Sequence, residues 1–362
     1  MLTTALNDEH QKLGASFTDF GGWSMPVRYG SDLDEHHAVR NSAGLFDISH
    51  MAEIRVSGAD AAAFLDFALI SKLSELAISR AKYTIICDVS GNAIDDLIVY
   101  RVADHEYLVV ANAGNRAAVV ASLQSRAGGF TDLTVQDESD SWALLALQGP
   151  NSEGILSGLT GQDLSGEKYY SITASKIAGI DVLLARTGYT GEDGFEIFVP
   201  VAGAPAIWNL LLEQEVTPCG LACRDTLRLE AGMPLYGHEL NAETNPFEAN
   251  LGKVIRFDKE DFVGKQELQK LSAETPAKKL YGLKGEGRRA ARADYEIFLP
   301  AGEKSIGLVT SGALSPTLGY PIAMAFLDGN IELPPGSKVE ADVRGTRVSY
   351  EVVELPFYKR KR

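Results

Sequence analysis

The chain contains 362 residues, of which 45% are apolar and 23% charged, a composition typical of a globular protein with two or three domains. Its formal net charge of -15 at pH 7 disfavours a nucleic-acid partner, because phosphate backbones repel an acidic protein. The sequence contains no apolar run long enough to span a membrane, and its N-terminus has no signal-peptide or transit-peptide pattern. These features predict a cytoplasmic protein, or a mature chain from an organelle, without a membrane partner.

Two stretches before residue 215 share one predicted order of elements. Residues from about 50 to 127 read as strand, helix, three strands and helix, beginning with MAEIRVSG and an Ala-rich segment. The same order recurs from about 143 to 214, beginning with WALLALQGP. The repetition indicates an internal duplication of a small α+β unit, in which an antiparallel sheet has helices on one face.

The chain changes character after a polar linker, SAETPAKKL, at residues 272–280. Short predicted strands with frequent Gly and Pro follow, and they indicate a small β-barrel or sandwich over residues 281–362. The chain ends in the basic segment YKRKR, which is predicted to be a solvated terminus.

Cysteine and histidine patterns point away from disulfide and metal chemistry. The three cysteines are too few for a disulfide framework, and Cys219 and Cys223 lack C-x-x-C spacing, so they are predicted to be small packing residues. The six histidines show no metal-ligand spacing, and no metal site is predicted.

The segment GNAIDDLIVYRV, residues 91–102, places two adjacent acids inside a predicted strand. Side chains on a strand alternate between its faces, so Asp96 shares a face with Tyr100, whereas Asp95 points the other way. One interpretation is that an aspartate near the turn only caps backbone amides. The other is that Asp96 and Tyr100, roughly 13 Å apart, contact one elongated ligand.

A second candidate is the loop RTGYTGEDGFEIF, residues 186–198. It lacks the lysine and the following helix of a phosphate-binding loop. It reads either as a wide hairpin turn or as a backbone that closely approaches a flat ligand, with Glu196 accepting two parallel N–H bonds from a pterin-like edge. The sequence shows no Ser-His-Asp or Cys-His pattern and no dinucleotide-binding fingerprint.

Nine motifs, spread in order over nearly the whole chain, resemble the glycine cleavage system T-protein family, the aminomethyltransferases. They are FGGWSMPVRY, EHHAVRNSAGLFDISHM, GNAIDDLIVYRV, LALQGPNS, RTGYTGEDGFEIF, CGLACRDTLRLEAGMPLYG, FVGKQEL, VTSGALSPTLGYPIAMA and ELPFY. The resemblance implies an α+β fold with two interleaved antiparallel-sheet domains over residues 1–271 and a C-terminal β-barrel, arranged as a cloverleaf around a central folate site. A departure is Lys253, where many relatives carry an aromatic residue.

The resemblance also implies the reaction. Such enzymes transfer the aminomethyl carbon from the dihydrolipoyl arm of the lipoylated H-protein to tetrahydrofolate, which yields 5,10-methylenetetrahydrofolate and ammonia. Tetrahydrofolate is therefore the expected co-substrate and H-protein the expected partner, with YKRKR a candidate docking segment. Neither a metal nor a covalent enzyme intermediate is expected.

The site residues follow from the same resemblance, position by position. Asp96 matches the functional aspartate of the DDLIV motif, where it would orient or activate the folate nitrogens, and Asp95 would be capping or solvated. The positions that match folate contacts are Met51, Tyr83, Tyr100, Asn112, Tyr189, Glu196 and Arg228.

Two other functions are compatible with this fold. One is a demethylase that passes methyl groups from sulfonium or aryl-ether substrates to tetrahydrofolate. The other is a folate-binding assembly factor without transfer activity, but its Lys-Gly-Cys-Tyr motif is absent, since the comparable segment reads LRLEAGMPLYGHE.

Overall fold

A computed structural model describes residues 1–360 of the chain. The described chain separates into two compact units, one formed by residues 1–86 and 96–224, the other by residues 87–95 and 225 onward. Lys361 and Arg362, part of the YKRKR segment, lie outside the described residues. Within residues 1–360, no helix is both long and apolar enough to cross a membrane.

The elements before residue 130 include the first of the two predicted repeats. In chain order they are α1 (Asn7–Lys12), β1 (Ser16–Phe20), β2 (Trp23–Arg28), α2 (Asp32–Asn41), β3 (Gly44–Asp47), β4 (Ala52–Ser57), α3 (Ala61–Ala68), β5 (Arg80–Cys87), β6 (Ala93–Ala103), β7 (Glu106–Ala111) and α4 (Arg116–Arg126). The order from β4 to α4 is the strand, helix, three strands and helix that the sequence predicts.

The second repeat follows, flanked by two short strands. These elements are β8 (Thr134–Asp137), β9 (Trp142–Gln148), α5 (Ser152–Thr160), β10 (Ile172–Ile177), β11 (Ile180–Ala185), β12 (Gly194–Pro200), α6 (Ala204–Leu212) and β13 (Thr217–Pro218). The predicted element order is confirmed here as well, from β9 to α6.

The first unit contains a five-stranded and a six-stranded sheet, and the two repeats have the same strand order within them. The five-stranded sheet runs β5-β6-β7-β4-β8, and the six-stranded sheet runs β10-β11-β12-β9-β3-β13. Along β6, Leu97 and Val99 are buried, whereas Asp96 and Ile98 on the other face are partly exposed. One face of this sheet therefore forms core, and the opposite face presents polar side chains.

The core of the six-stranded sheet explains why its strands are so apolar. Leu145 and Leu147 of β9 pack with Ile197 of β12 and with Trp208 of α6, and all four side chains are fully buried. Burial of large apolar side chains is the main stabilising contribution to such a layer, at about 1.5–3 kcal/mol for each side chain.

The second unit contains a closed barrel. The remaining elements are α7 (Leu221–Glu230), which begins in the first unit, α8 (Lys265–Ala273), β14 (Lys278–Gly285), β15 (Glu296–Phe298), β16 (Ser305–Leu314), β17 (Pro321–Asp328), β18 (Lys338–Asp342) and β19 (Arg347–Val353). Strands β14-β17-β16-β15-β18-β19 close the barrel around an apolar core. The predicted α+β class with a C-terminal β-barrel is confirmed, and its first strand begins at Lys278, inside the segment predicted as a linker.

Candidate functional site

Asp96 lies on β6 with its carboxylate held by two neighbours from adjacent strands. The Tyr83 hydroxyl on β5 donates to Oδ2 at 3.1 Å, and the Asn112 amide, just after β7, donates to Oδ1 at 2.9 Å. The three residues therefore form one cluster, and each oxygen of the carboxylate has a fixed partner.

Burial raises the pKa of the Asp96 carboxyl to about 6, although the hydrogen bonds from Tyr83 and Asn112 oppose this shift. Both donors are neutral, so they do not compensate fully for the loss of water around the charge. A carboxyl with a pKa near the working pH is suited to accepting or holding a proton during a reaction.

Asp95 differs from its neighbour, as the alternation of the strand requires. Its side chain is fully buried, so of the two expected alternatives, capping or solvated, the solvated one is wrong and the capping one stays a prediction. The alternating geometry of β6 turns Asp95 toward the buried face of the strand and Asp96 toward the polar face.

Glu196 on β12 is part of a second polar cluster that reaches the same strand β6. Its Oε2 accepts hydrogen bonds from the Tyr100 hydroxyl at 3.1 Å and from the Thr187 hydroxyl at 2.5 Å. Tyr100 lies four residues after Asp96 on the same face of the five-stranded sheet, and through Tyr100 this face contacts Glu196 of the six-stranded sheet.

In the glycine-rich loop, Gly188 packs against the Gln148 side chain, and Gly194 packs against both this side chain and the Leu147 carbonyl oxygen. A Cβ at Gly188 would lie 2.0 Å from Gln148 Oε1, and one at Gly194 would lie 2.6 Å from Gln148 Nε2. Gln148 also donates to the Thr187 carbonyl at 3.1 Å and accepts from the Thr190 hydroxyl at 2.9 Å. These glycines therefore fix the loop on Gln148, which accounts for the close backbone approach without a ligand.

The other predicted contacts occupy different surroundings. Tyr189 stacks with Arg224, whose guanidinium carbon lies 4.9 Å from the centre of the ring. Met51 is half-buried immediately before β4. Arg228 lies in the second unit, where it donates to Glu239 at 3.0 Å and to Ser311 at 2.7 Å. The assignment of Met51, Tyr189 and Arg228 to a ligand stays a prediction.

Sequence reasoning missed four side chains in this region. Tyr170 has a left-handed φ of 62°, which is uncommon for an aromatic residue, and burial together with Tyr169, Glu196 and Asp96 raises the pKa of its hydroxyl. Thr187, Arg224 and Glu53 are the others. Of the four, only Glu53 carried a signal, since it is an acid within the apolar strand AEIRVS.

Clusters of side chains that could bind a metal ion are absent from the described residues. Residues 1–360 contain no group of three or more His, Cys, Asp or Glu side chains placed to hold an ion. Cys219 and Cys223 are buried and form no disulfide among the described residues, in agreement with the prediction that they are packing residues.

Comparison with known proteins identifies the family of the chain. A family model described as GCVT N-terminal domain matches residues 6–259, and one described as glycine cleavage T-protein C-terminal barrel domain matches residues 278–359. The chain belongs to the glycine cleavage T-protein family. The predicted membership is therefore confirmed.

Relatives of this family match nearly the whole chain. An aminomethyltransferase of Streptomyces avermitilis is 53% identical over 99% of this chain and 98% of its own length. One from Saccharopolyspora erythraea is 54% identical, again over 99% and 98%. The crystal structure of the glycine cleavage system aminomethyltransferase T from Bartonella henselae matches with a TM-score of 0.92 and 36% identity, covering 99% of this chain and 98% of that one. The prediction of an aminomethyltransferase enzyme is confirmed.

Proposed function

We propose that this T-protein family member transfers the aminomethyl carbon from the dihydrolipoyl arm of H-protein to tetrahydrofolate. The products are 5,10-methylenetetrahydrofolate, ammonia and the free dihydrolipoyl arm, as in glycine cleavage. The observation that carries this proposal is the Asp96 carboxylate, held by Tyr83 and Asn112 on the polar face of a sheet. We further propose that residues 1–271 form the folate-binding region and that the enzyme works in the cytoplasm.

The side chains along this face fit a reduced pteridine. Glu196 accepts two hydrogen bonds from hydroxyl groups, and its carboxylate suits the N–H groups on the amidine-like edge of such a ring. Aromatic rings at Tyr83, Tyr100 and Tyr189 offer faces and hydroxyl groups of the kind that bind flat, polar heterocycles. We assign Met51, Asn112 and Arg228 to the same ligand.

Tetrahydrofolate supplies the two nitrogen atoms that receive the one-carbon unit. The part of the protein is to orient both substrates and to place charge where it is needed. In its ionised form, Asp96 orients the nitrogen groups through hydrogen bonds and stabilises the positive charge that develops as ammonia departs. Because burial raises the pKa of this carboxyl to about 6, it also holds a proton more readily than an exposed aspartate does.

A coupled assay with tetrahydrofolate and aminomethyl-loaded H-protein tests this function. Ammonia and methylenetetrahydrofolate are followed together, and we expect them to appear in equal amounts and only when the lipoylated partner is present. Formation of methyltetrahydrofolate from a sulfonium or aryl-ether donor would instead support the demethylase. Folate binding without turnover of any donor would support the assembly factor.

A further inference from the structure

Glu53 carries a carboxyl group that has no hydrogen-bond partner among the described residues. Its side chain is fully buried, and neither Oε1 nor Oε2 has a hydrogen-bond partner within residues 1–360. The backbone of the same residue is satisfied, because its N–H donates to the Ser139 hydroxyl at 2.9 Å and its carbonyl accepts from the Glu138 N–H at 2.9 Å. Most buried polar groups in proteins are paired, so this carboxyl requires an explanation.

The register of the five-stranded sheet places Glu53 on the same face as Asp96. Glu53 on β4 lies opposite Val110 on β7, and Val110 lies opposite Ile98 on β6. Directly opposed residues project to the same face, and Ile98 shares its face with Asp96 two positions earlier. Glu53 is therefore two strands away from the candidate site residue, on the polar side of the sheet.

Charged groups near Glu53 reinforce the effect of its burial. Burial raises the pKa of this carboxyl well above its usual range, Asp137 and Glu196 raise it further, and only Arg116 lowers it. Arg116 is itself engaged by Asp137 at 2.7 Å and by Asp140 at 2.8 Å. The balance of these effects favours the protonated form of the Glu53 carboxyl, which can donate one hydrogen bond through its O–H.

A purely structural role does not account for this residue. Glu35, another buried glutamate in the same unit, accepts hydrogen bonds from the backbone N–H groups of Tyr29, Gly30 and Gly220 at 2.7, 3.1 and 2.9 Å. The Glu53 side chain makes no hydrogen bond within residues 1–360. An unpaired polar group in the interior reduces the stability of the fold. Residues that reduce stability in this way are concentrated at functional sites.

We propose that Glu53 is a further binding residue for the reduced pteridine, and that its protonated carboxyl donates a hydrogen bond to the ring carbonyl oxygen. This inference rests on the proposed function. Glu53 would complement Glu196 in binding the ring. Glu196 accepts hydrogen bonds and so suits the N–H groups of the ring, whereas the carbonyl oxygen of the ring needs a donor such as Glu53. Binding of the ring would provide Glu53 with the partner that the free protein lacks.

Three variants test the proposal, with Glu35→Leu as the matched control for Glu53→Leu. For each protein, the melting temperature without ligand and the dissociation constant for tetrahydrofolate are measured. We expect Glu53→Leu to keep or raise the melting temperature, by up to roughly 4 °C, while tetrahydrofolate binds about tenfold more weakly. Glu53→Gln retains a neutral donor and should bind within about threefold of the wild type.

Glu35→Leu should give the reverse result, a lower melting temperature with unchanged affinity in the folded fraction. Wild-type affinity in Glu53→Leu would overturn the inference. It would also be overturned if Glu53→Leu melted as early as Glu35→Leu, or if Glu53→Gln bound as weakly as Glu53→Leu. Absence of tetrahydrofolate binding by the wild type would contradict the proposed function itself, so the two failures are distinguishable.

Discussion

The two repeats of the first unit have the same order of strands, but their acidic side chains lie on strands that are not equivalent. In the first repeat, Asp96 lies on β6, the second strand of the hairpin, whereas the equivalent strand β11 carries only the exposed Asp181, paired with Lys176 at 2.6 Å. In the second repeat, the acid that we assign to the proposed site is Glu196 on β12. The duplication therefore explains the scaffold, whereas the acids of the proposed site lie at positions that are not equivalent in the two copies.

Two aspartates in this unit, the buried Asp47 and the partly exposed Asp96, differ in their electrostatics. Asp47, at the end of β3, binds the His10 ring at 2.8 Å, the Thr4 hydroxyl at 2.6 Å and the Ser49 N–H at 2.9 Å. Burial opposes the charge of Asp47, but these partners hold the pKa of its carboxyl below the usual range. Asp96 has only two neutral side-chain donors, and its pKa is raised to about 6. The partners of Asp47 thus favour its charged form, whereas the surroundings of Asp96 disfavour the charged form.

The largest expected effect is a loss of turnover when the charge of Asp96 is removed. Asp96→Asn retains the shape of the side chain and removes its charge, so we expect turnover to fall by about 100-fold or more with little change in the affinity for tetrahydrofolate. Its free energy of unfolding at pH 7 should not decrease, because the raised pKa means that the site disfavours the charge. Asp181→Asn is the matched control and should retain full turnover. Near-normal turnover in Asp96→Asn would remove Asp96 from the mechanism.

The second prediction concerns the stability of the first unit. Asp47→Asn loses the charge that pairs with His10, so we expect the free energy of unfolding to fall by about 2–3 kcal/mol in urea titrations at pH 7. Since the folded-state pKa of Asp47 is lowered, its stabilising contribution is present above the unfolded value near 4 and is lost as the pH falls through the folded value. Equal stability of Asp47→Asn and Asp96→Asn would contradict the distinction between the two aspartates.

The smallest effect is expected for the hydroxyl that contacts the candidate catalytic carboxylate. Tyr83→Phe removes the hydrogen bond to Asp96 and should raise the pKa of Asp96 further, since that bond lowers it. We expect kcat/KM to fall by about two- to fivefold at pH 6.5 and by less at pH 8. Tyr107→Phe is a suitable control, because the Tyr107 hydroxyl has no hydrogen-bond partner in the described chain. An equal loss at both pH values would show that Tyr83 acts only through packing.

The sequence was informative where local periodicity decides the structure. Alternation along β6 was enough to separate Asp96 from Asp95, and the repeated element order anticipated the shared strand order of the two sheets. The burial of Asp95 was not foreseen, because alternation gives the direction of a side chain but not what covers it. Contacts between segments that are distant in the sequence were also not predicted. An example is the hydrogen bond between His10 and Asp47, which are 37 positions apart.

The glycine-rich loop and Glu53 are two further cases in which the sequence did not predict the tertiary contacts. Glycine at 188 and 194 indicated a close approach, but the sequence could not reveal that Gln148 is the neighbour. Glu53 was missed although it is an acid in an apolar strand, and its lack of a hydrogen-bond partner within residues 1–360 is seen only when the neighbouring strands are in register. Pairing and register are tertiary properties, so a single sequence leaves them open.

The pH dependence of kcat/KM in the wild type and in Asp96→Asn tests the central claim most directly. With H-protein and tetrahydrofolate as substrates, the wild-type rate should fall about tenfold per unit below a pH near 6, because the carboxylate form of Asp96 is lost there. The residual activity of Asp96→Asn should lack this decline between pH 5 and 7. An unchanged decline in the variant would assign the titration to another group and would contradict the role of Asp96.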